Sequence, residues 1–331
     1  MSTTVDAHHR TTALRRAAVR ATLAPSEHNT QPWRFVMSPD RLDLYSDPAR
    51  QLLVLDPTGR QMTISCGCAL FNARVVLAAA GLDVEVSRLP IPADPTHLAR
   101  IRIIGPHNDT VDPIGALDSV LELRQTNRRQ FADDVVPADL LACLERAATA
   151  EQSRLFTVRS DDDRLTVAVL SQKADQIQNL NQAYRAELRA WTTTDPGRRD
   201  GVTAASVPHV DGHAEDEVPI RDFDSQGAGF LPSRTHSSRS QCLLLLGTDG
   251  DNPSSWVRAG EALERVLLEV ARQGFAVSPL TQVVEVASAR AELRSRLGLT
   301  WNPHILLRVG RAPITPSSHR RRLVDVLTGQ P

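Results

Sequence analysis

Gly67-Cys-Ala-Leu-Phe-Asn-Ala-Arg-Val-Val-Leu-Ala-Ala-Ala-Gly81 and Gly260-Glu-Ala-Leu-Glu-Arg-Val-Leu-Leu-Glu-Val-Ala-Arg-Gln-Gly274 share a plan. Each opens on glycine, carries Ala-Leu at the same offset and closes on glycine at the same spacing. Apolar residues at Leu70, Ala73, Val76 and Leu77, and at Leu263, Val266, Leu267 and Val270, recur with the period of a helix. Gly81 and Gly274 stand where a left-handed residue ends one. Two flanking matches keep the same order. Leu98–Gly105 parallels His304–Gly310, and Trp33–Ser38 parallels Leu155–Ser160, each pair reading as strands. Any one match is an ordinary amphipathic element; the shared order of three makes the chain a tandem duplication.

The copies differ in size. The interval from strand to glycine helix runs from Ser38 to Gly67 in the first and from Ser160 to Gly260 in the second. The extra sequence begins as one long helix pattern through Leu165, Val169, Gln176, Leu180, Tyr184, Leu188 and Trp191. From 192 to 240 it becomes glycine- and proline-rich without periodicity, and loops of that length in compact chains tend to be functional or disordered.

Composition narrows the classes. With 41% hydrophobic residues and a formal charge of −1 over 331 residues, this is an ordinary globular composition. It gives no reason to expect nucleic acid or an anionic membrane as partner. Cys66, Cys68, Cys143 and Cys242 show no C-x-x-C and read as reduced, packed thiols. The residues after Met1 lack the apolar stretch of a secretory signal, and the longest purely apolar run, Cys242–Leu246, is too short to span a bilayer; a cytoplasmic location is expected.

Common catalytic motifs are absent: there is no G-x-G-x-x-G after a strand, no phosphate-binding G-x-x-x-x-G-K-[ST] and no G-x-S-x-G elbow. His209-x-Asp211-x-His213-x-Glu215 has ligand spacing, but its polar, acidic setting reads as a solvated stretch and no metal is expected.

More informative is Ala24-Pro-Ser-Glu-His-Asn-Thr-Gln-Pro-Trp-Arg-Phe35, between a helix pattern (Leu14, Ala17, Ala18, Ala21) and a strand. Two prolines stiffen a turn that presents amides and short polar side chains, suited to the edge of a flat heteroaromatic ring. It reads equally as a rigid connection with Trp33 in the core.

This segment resembles the A-P-S-x-x-N-x-Q-P-W segment of the nitroreductase family, matched at Ala24, Pro25, Ser26, Asn29, Gln31, Pro32 and Trp33. Arg124-Gln-Thr-Asn-Arg128-Arg-Gln-Phe131 is similar to that family's R-x-[ST]-x-[RK]-x-F opening. Trp256–Gly274 with Ser278-Pro279-Leu280 resembles its cofactor-flanking helix and loop, and Arg320-Arg321-Arg322 its basic tail. The order and the duplication are most similar to the Acg-type proteins of mycobacteria and other actinobacteria, for which the resemblance suggests a dormancy or stress role.

The resemblance implies an α+β, nitroreductase-like fold: two tandem copies fused as an intramolecular pseudo-dimer, residues 1–112 and 113–331, with 192–240 as a candidate flavin lid. It implies FMN, with NAD(P)H as electron donor and a small-molecule electron acceptor. The first copy would supply Ser26, Glu27 and Asn29. Ser26 and Asn29 would orient the ring. The second would supply Arg124 and Thr126, with Arg320 or Arg321, for the phosphate, and Arg128 near the pyrimidine edge, where a fixed cation favours reduced flavin. Ser278, Pro279 and Leu280 would flank the ring, Pro279 and Leu280 packing near its reactive face. The reciprocal site lacks both motifs, so one flavin per chain is expected, in a monomer. Reduction of nitro or quinone-like compounds is the first functional expectation; non-catalytic storage of FMN under a lid is the second, and a flavin-less interaction protein the third.

Overall fold

The computed structural model describes residues 6–106, 114–195, 197–203, 206–207, 218–221, 223 and 241–329. In chain order the helices are α1 (Ala7–Ala21), α2 (Arg60–Ala79), α3 (Ala138–Ala150), α4 (Asp161–Leu180), α5 (Gln182–Ala190), α6 (Pro253–Arg272), α7 (Gln282–Glu285) and α8 (Ala287–Arg296). The strands are β1 (Trp33–Ser38), β2 (Arg41–Ser46), β3 (Leu82–Arg88), β4 (His97–Pro106), β5 (Arg154–Val158), β6 (Thr192–Thr193), β7 (Val202–Thr203), β8 (Cys242–Thr248), β9 (Ala276–Pro279), β10 (Asn302–Gly310) and β11 (Leu327–Thr328).

The duplication is visible in the sheets. One runs β11-β1-β2-β4-β3 and the other β5-β8-β10-β9. Stripped of β11, the two orders correspond strand for strand, and each half follows a helix–strand–strand–helix–strand–strand course. The matched central helices α2 and α6 both span 20 residues. Both end before a glycine with positive φ, Gly81 at 73° and Gly274 at 71°, as their spacing predicts. Gly67 and Gly260 do not begin these helices; they lie within them, where the two cross.

α2 and α6 pack along each other between the sheets, in a core that includes Leu70, Phe71, Val257 and Val266. Among the described helices α2 is the one long and apolar enough to cross a membrane by length and composition. Its residues are nearly all buried against α6 and α1, so its hydropathy is accounted for by the core.

The insertion departs from the periodicity. Instead of one helix to Trp191, α4 stops at Leu180 and Asn181 starts α5, its side chain accepting the amides of Ala183 and Tyr184. A cap of this kind satisfies amides that a continuous helix would bond internally, and the apolar period runs on across the break. Beyond α5, β6 and β7 pair in parallel. Leu188, Val202, Val207 and Phe223 pack with Leu52 and Leu55 in a small separate cluster. Within 192–240, residues 196, 204–205, 208–217, 222 and 224–240, which include the whole of His209–Glu215, lie outside the described residues. Finally, β11 returns to the first half and pairs with β1, Phe35 N donating to Val326 O at 2.7 Å. That return carries the basic tail to the 24–31 loop.

Candidate functional site

The 24–31 loop is held in an unusual conformation. His28, Asn29 and Gln31 take φ of 49°, 55° and 50°, the left-handed region that L side chains avoid. Each such residue costs about 1 kcal/mol or more unless its surroundings hold it. Here they do: Ser26 Oγ accepts the Gln31 amide at 2.9 Å, and Gln31 donates to Arg199 O at 2.8 Å and accepts the Arg321 amide at 2.7 Å.

This loop, one face of α2 and the second half line a cavity that is partly open to solvent, with about 780 Å³ of space including its open mouth. Pro25, Ser26, Glu27 and His28 form one wall, and Gln61, Ile64, Ser65 and Cys68 of α2 the next. Thr126 and Arg128 come from the second-half opening, Leu263 and Leu267 from α6, Pro279 from β9, and Ile220, Arg221 and Phe223 from the insertion. A smaller side pocket, about 410 Å³, shares Pro25, Ser26, Thr126 and Arg128 with it and adds Asn29, Arg124, Gly201 and Arg320. The two spaces therefore meet at common walls, one mixed in polarity, the other cationic.

Charge is concentrated around Glu27. Its carboxylate lies 3.1 Å from His28 Nδ1 and 3.8 Å from Arg221. Burial acts to raise its pKa, but the His28 hydrogen bond and the charges of His28, Arg221 and Arg128 together hold it down at about 2. Burial pushes Arg128 the other way, to about 10, with Glu27 opposing and Arg221 adding to the fall. The Arg128 guanidinium rests 4.8 Å from the centre of the Phe223 ring, and His28 meets that ring edge-on at 5.9 Å. Arg221 is fixed by Thr281 Oγ1 at 3.0 Å, by Glu285 at 2.5 Å and by the Tyr184 hydroxyl.

In the side pocket, buried Arg124 donates to Leu23 O at 3.0 Å, while its Nε has no hydrogen-bond partner and faces Glu264 at 3.5 Å. Arg320 donates to Thr22 O at 2.8 Å and to Leu23 O at 3.0 Å. Burial and the neighbouring Arg124 push Arg320 down to about 9, against the pull of Glu264.

Ser26, Glu27, Thr126, Arg128 and Pro279 meet at the main cavity, and Arg124 and Arg320 at the side pocket. Three expectations need correction. Asn29 does not reach the main cavity; it faces the side pocket, donating to Gly201 O at 3.0 Å and accepting from Arg320 at 3.3 Å. Its left-handed backbone leaves it beside Ser26 on the side pocket but off the wall of the main cavity. Ser278 and Leu280 line neither space, because β alternation sends them to the opposite face from Pro279; Leu280 joins a separate core cluster. Arg321 lines neither, its guanidinium bonding Gln31 O and Asp325 O.

Residues not foreseen are Gln61, Ser65 and Cys68, spaced along one face of α2, and Thr281, Gln282, Ile220, Arg221 and Phe223. Polar residues at i and i+4 of an otherwise apolar helix were a usable signal for the first two; the insertion residues offered none.

The matched position in the other direction is filled. Glu261 follows Gly260 as Cys68 follows Gly67, and it is fully buried between Arg74 at 2.7 Å and Arg88 at 2.6 Å. Arg74 and Arg265 also clamp Glu151, at 2.6 and 2.9 Å. Where one side of the crossing has a cavity, the other has an ion-pair cage.

Over 312 residues the chain is 35% identical to a Mycobacterium tuberculosis H37Rv protein provisionally named an NAD(P)H nitroreductase, covering 93% of this chain and 88% of the relative. The chain belongs to the nitroreductase-like family. A second family member from the same strain, provisionally named NAD(P)H nitroreductase Acg, is 32% identical over 326 residues, covering 95% of each. A Desulfitobacterium hafniense nitroreductase with bound FMN aligns over 64% of this chain and 96% of its own, with TM-score 0.42 and 13% identity. The FMN- and NADPH-dependent nitroreductase NfnB of Sphigopyxis sp. strain HMH aligns over 65% and 99%, with TM-score 0.40 and 18% identity. No family model matches the chain.

Proposed function

We propose that this nitroreductase-like chain binds one FMN between its halves and uses it to pass electrons from NAD(P)H to a small nitro- or quinone-type acceptor. The observation that carries the reading is the junction of the two spaces. A cationic pocket holding Arg124, whose Nε has no hydrogen-bond partner and only the Glu264 carboxylate at 3.5 Å, opens on a cavity walled by Pro25, Ile64, Leu263, Leu267 and Pro279. That arrangement suits a molecule with a dianionic end and a flat, mostly apolar body. Arg124 and Arg320 would hold the phosphate by charge-assisted hydrogen bonds. Thr126 and Ser26, common to both spaces, would meet the linker, and Arg128 would place positive charge beside the ring and favour its reduced form. The flavin, when bound, supplies the hydride chemistry. The halves, residues 1–112 and 113–331, act on this reading as one intramolecular pseudo-dimer and the chain as a monomer.

A second reading, storage of FMN, is favoured by Ile220, Arg221 and Phe223, which belong to the 192–240 insertion and already line the cavity. Absorption spectra of the FMN-loaded protein, taken anaerobically after NADPH and then dithionite, separate the two. Rapid bleaching by NADPH supports the reductase, and bleaching by dithionite alone supports storage. Failure to take up FMN sinks both.

A further inference from the structure

Glu264 lies behind the side pocket, fully buried on α6, and apart from a weak interaction with the Asn72 amide neither carboxylate oxygen has a hydrogen-bond partner. A buried carboxylate in that condition is costly, and its nearest compensation is Arg124 Nε at 3.5 Å. The groups that face it come from three other elements: Cys68 and the amide of Asn72 on α2, Arg124 from the loop opening the second half, and Arg320 from the tail. Both arginines also border the side pocket. A phosphate entering there would draw on the same two cations that now offset Glu264, leaving the carboxylate uncompensated in the interior.

We propose that Glu264 is the proton-accepting counter-ion of this pocket: it pairs with Arg124 in the free protein and takes one proton from solvent when a phosphate enters beside Arg124 and Arg320. One O–H bond forms on the carboxylate as one bond to hydrogen breaks in the hydronium ion or buffer acid that donates the proton, and no other bond changes. The inference rests on the FMN reading of the site. Its chemistry is consistent with the burial that pushes Glu264 up to about 7, opposed by Arg124, Asn72 and Arg320, so that the proton is within reach near neutral pH. Affinity for a phosphate-bearing ligand should then fall as pH rises above that value, since the proton becomes harder to supply.

The test is calorimetric titration of FMN-freed protein at pH 8, in buffers of different ionisation heat, with FMN and with riboflavin, which lacks the phosphate. Uptake of about one proton per FMN and none with riboflavin is expected. The FMN Kd should weaken by about tenfold per pH unit above pH 8. Glu264→Gln should abolish the uptake and flatten that limb, whereas His319→Asn, beside the same pocket, should leave both. FMN binding without proton uptake, or uptake that survives Glu264→Gln or vanishes in His319→Asn, overturns the inference while leaving the flavin site standing. If Glu264→Gln does not fold, the riboflavin contrast and His319→Asn decide it on folded protein. A chain that takes up no FMN at any pH overturns the flavin reading and this inference together.

Discussion

Gly67 of α2 and Gly260 of α6 touch at the crossing of the two halves. A Cβ added to Gly260 would stand 2.7 Å from Gly67 Cα and 2.1 Å from Ile64 O; one added to Gly67 would stand 2.9 Å from Gly260 Cα and 2.2 Å from Val257 O. These are backbone atoms in packed helices, which cannot swing aside as a side-chain end can. Gly67→Ala and Gly260→Ala are each expected to destabilise the protein by about 3 kcal/mol, the upper range for overpacking. Urea unfolding measures this. A variant within 0.5 kcal/mol of the parent, roughly the range of neutral surface changes, would show that the helices part easily.

The cage opposite the cavity makes a second prediction. Glu261→Ala removes the carboxylate that Arg74 and Arg88 share and leaves two largely buried guanidinium groups short of a partner. Breaking a buried pair from one side costs about 3–5 kcal/mol. Glu261→Ala should therefore unfold at markedly lower urea, while the protein still folded binds FMN in the parent's ratio. Gain of a second flavin would show that the cage alone keeps the reciprocal site closed.

What the sequence disclosed follows from the range of the interactions. Gly81 and Gly274 could be placed because a helix end with positive φ is a local demand. Gly67 and Gly260 were visible as repeat markers, but their purpose lies in contact between residues far apart in the chain. Ser26, Arg124 and Arg128 were picked out through a resemblance of ordered motifs and border the two spaces, whereas Asn29 stands on the side pocket because of a backbone turn that motif spacing does not encode. Arg221 and Phe223 sit in a segment without periodicity, so nothing local marked them. Glu264 reads in sequence as one more charged position of an amphipathic helix.

Arg124 and Arg320 should be separable from the ring-binding residues by their ligand. Charge-assisted hydrogen bonds contribute about 1.5–3 kcal/mol each, so Arg124→Ala or Arg320→Ala should weaken FMN binding by about 10- to 100-fold. Riboflavin affinity should barely change. Fluorescence titration with both ligands checks this, and equal losses for the two would move the phosphate elsewhere.

Phe223 tests the competing readings directly. Its ring lies against Arg128 and His28 within the cavity wall. Phe223→Ala opens that wall without touching Arg124 or Arg320 of the side pocket. Stopped-flow bleaching of the loaded protein by NADPH should become several-fold faster if the insertion limits access. An unchanged rate would remove Phe223 from any covering role.

His304 should govern part of the acid response. It is fully buried, with Nε2 2.7 Å from Thr248 Oγ1 and Nδ1 3.1 Å from the Arg290 guanidinium. Because Thr248 donates its own proton to Gly250 O at 2.8 Å, it accepts from Nε2–H, and Nδ1 accepts from Arg290. The ring is thus held neutral; burial, then Arg290 and Arg60, drive it down to about 3. An unfolded histidine titrates near 6.5. Between those values the unfolded chain binds a proton that the folded chain refuses, so stability is complete above about 6.5 and falls with pH through this window. One such group contributes a slope of up to about 1.4 kcal/mol per pH unit. His304→Gln should lose stability at pH 7 through its poorer fit, yet the gap to the parent should shrink by pH 4.5. A gap that stays constant in urea unfolding at the two pH values would mean that His304 carries a proton in the folded protein as readily as in the unfolded one.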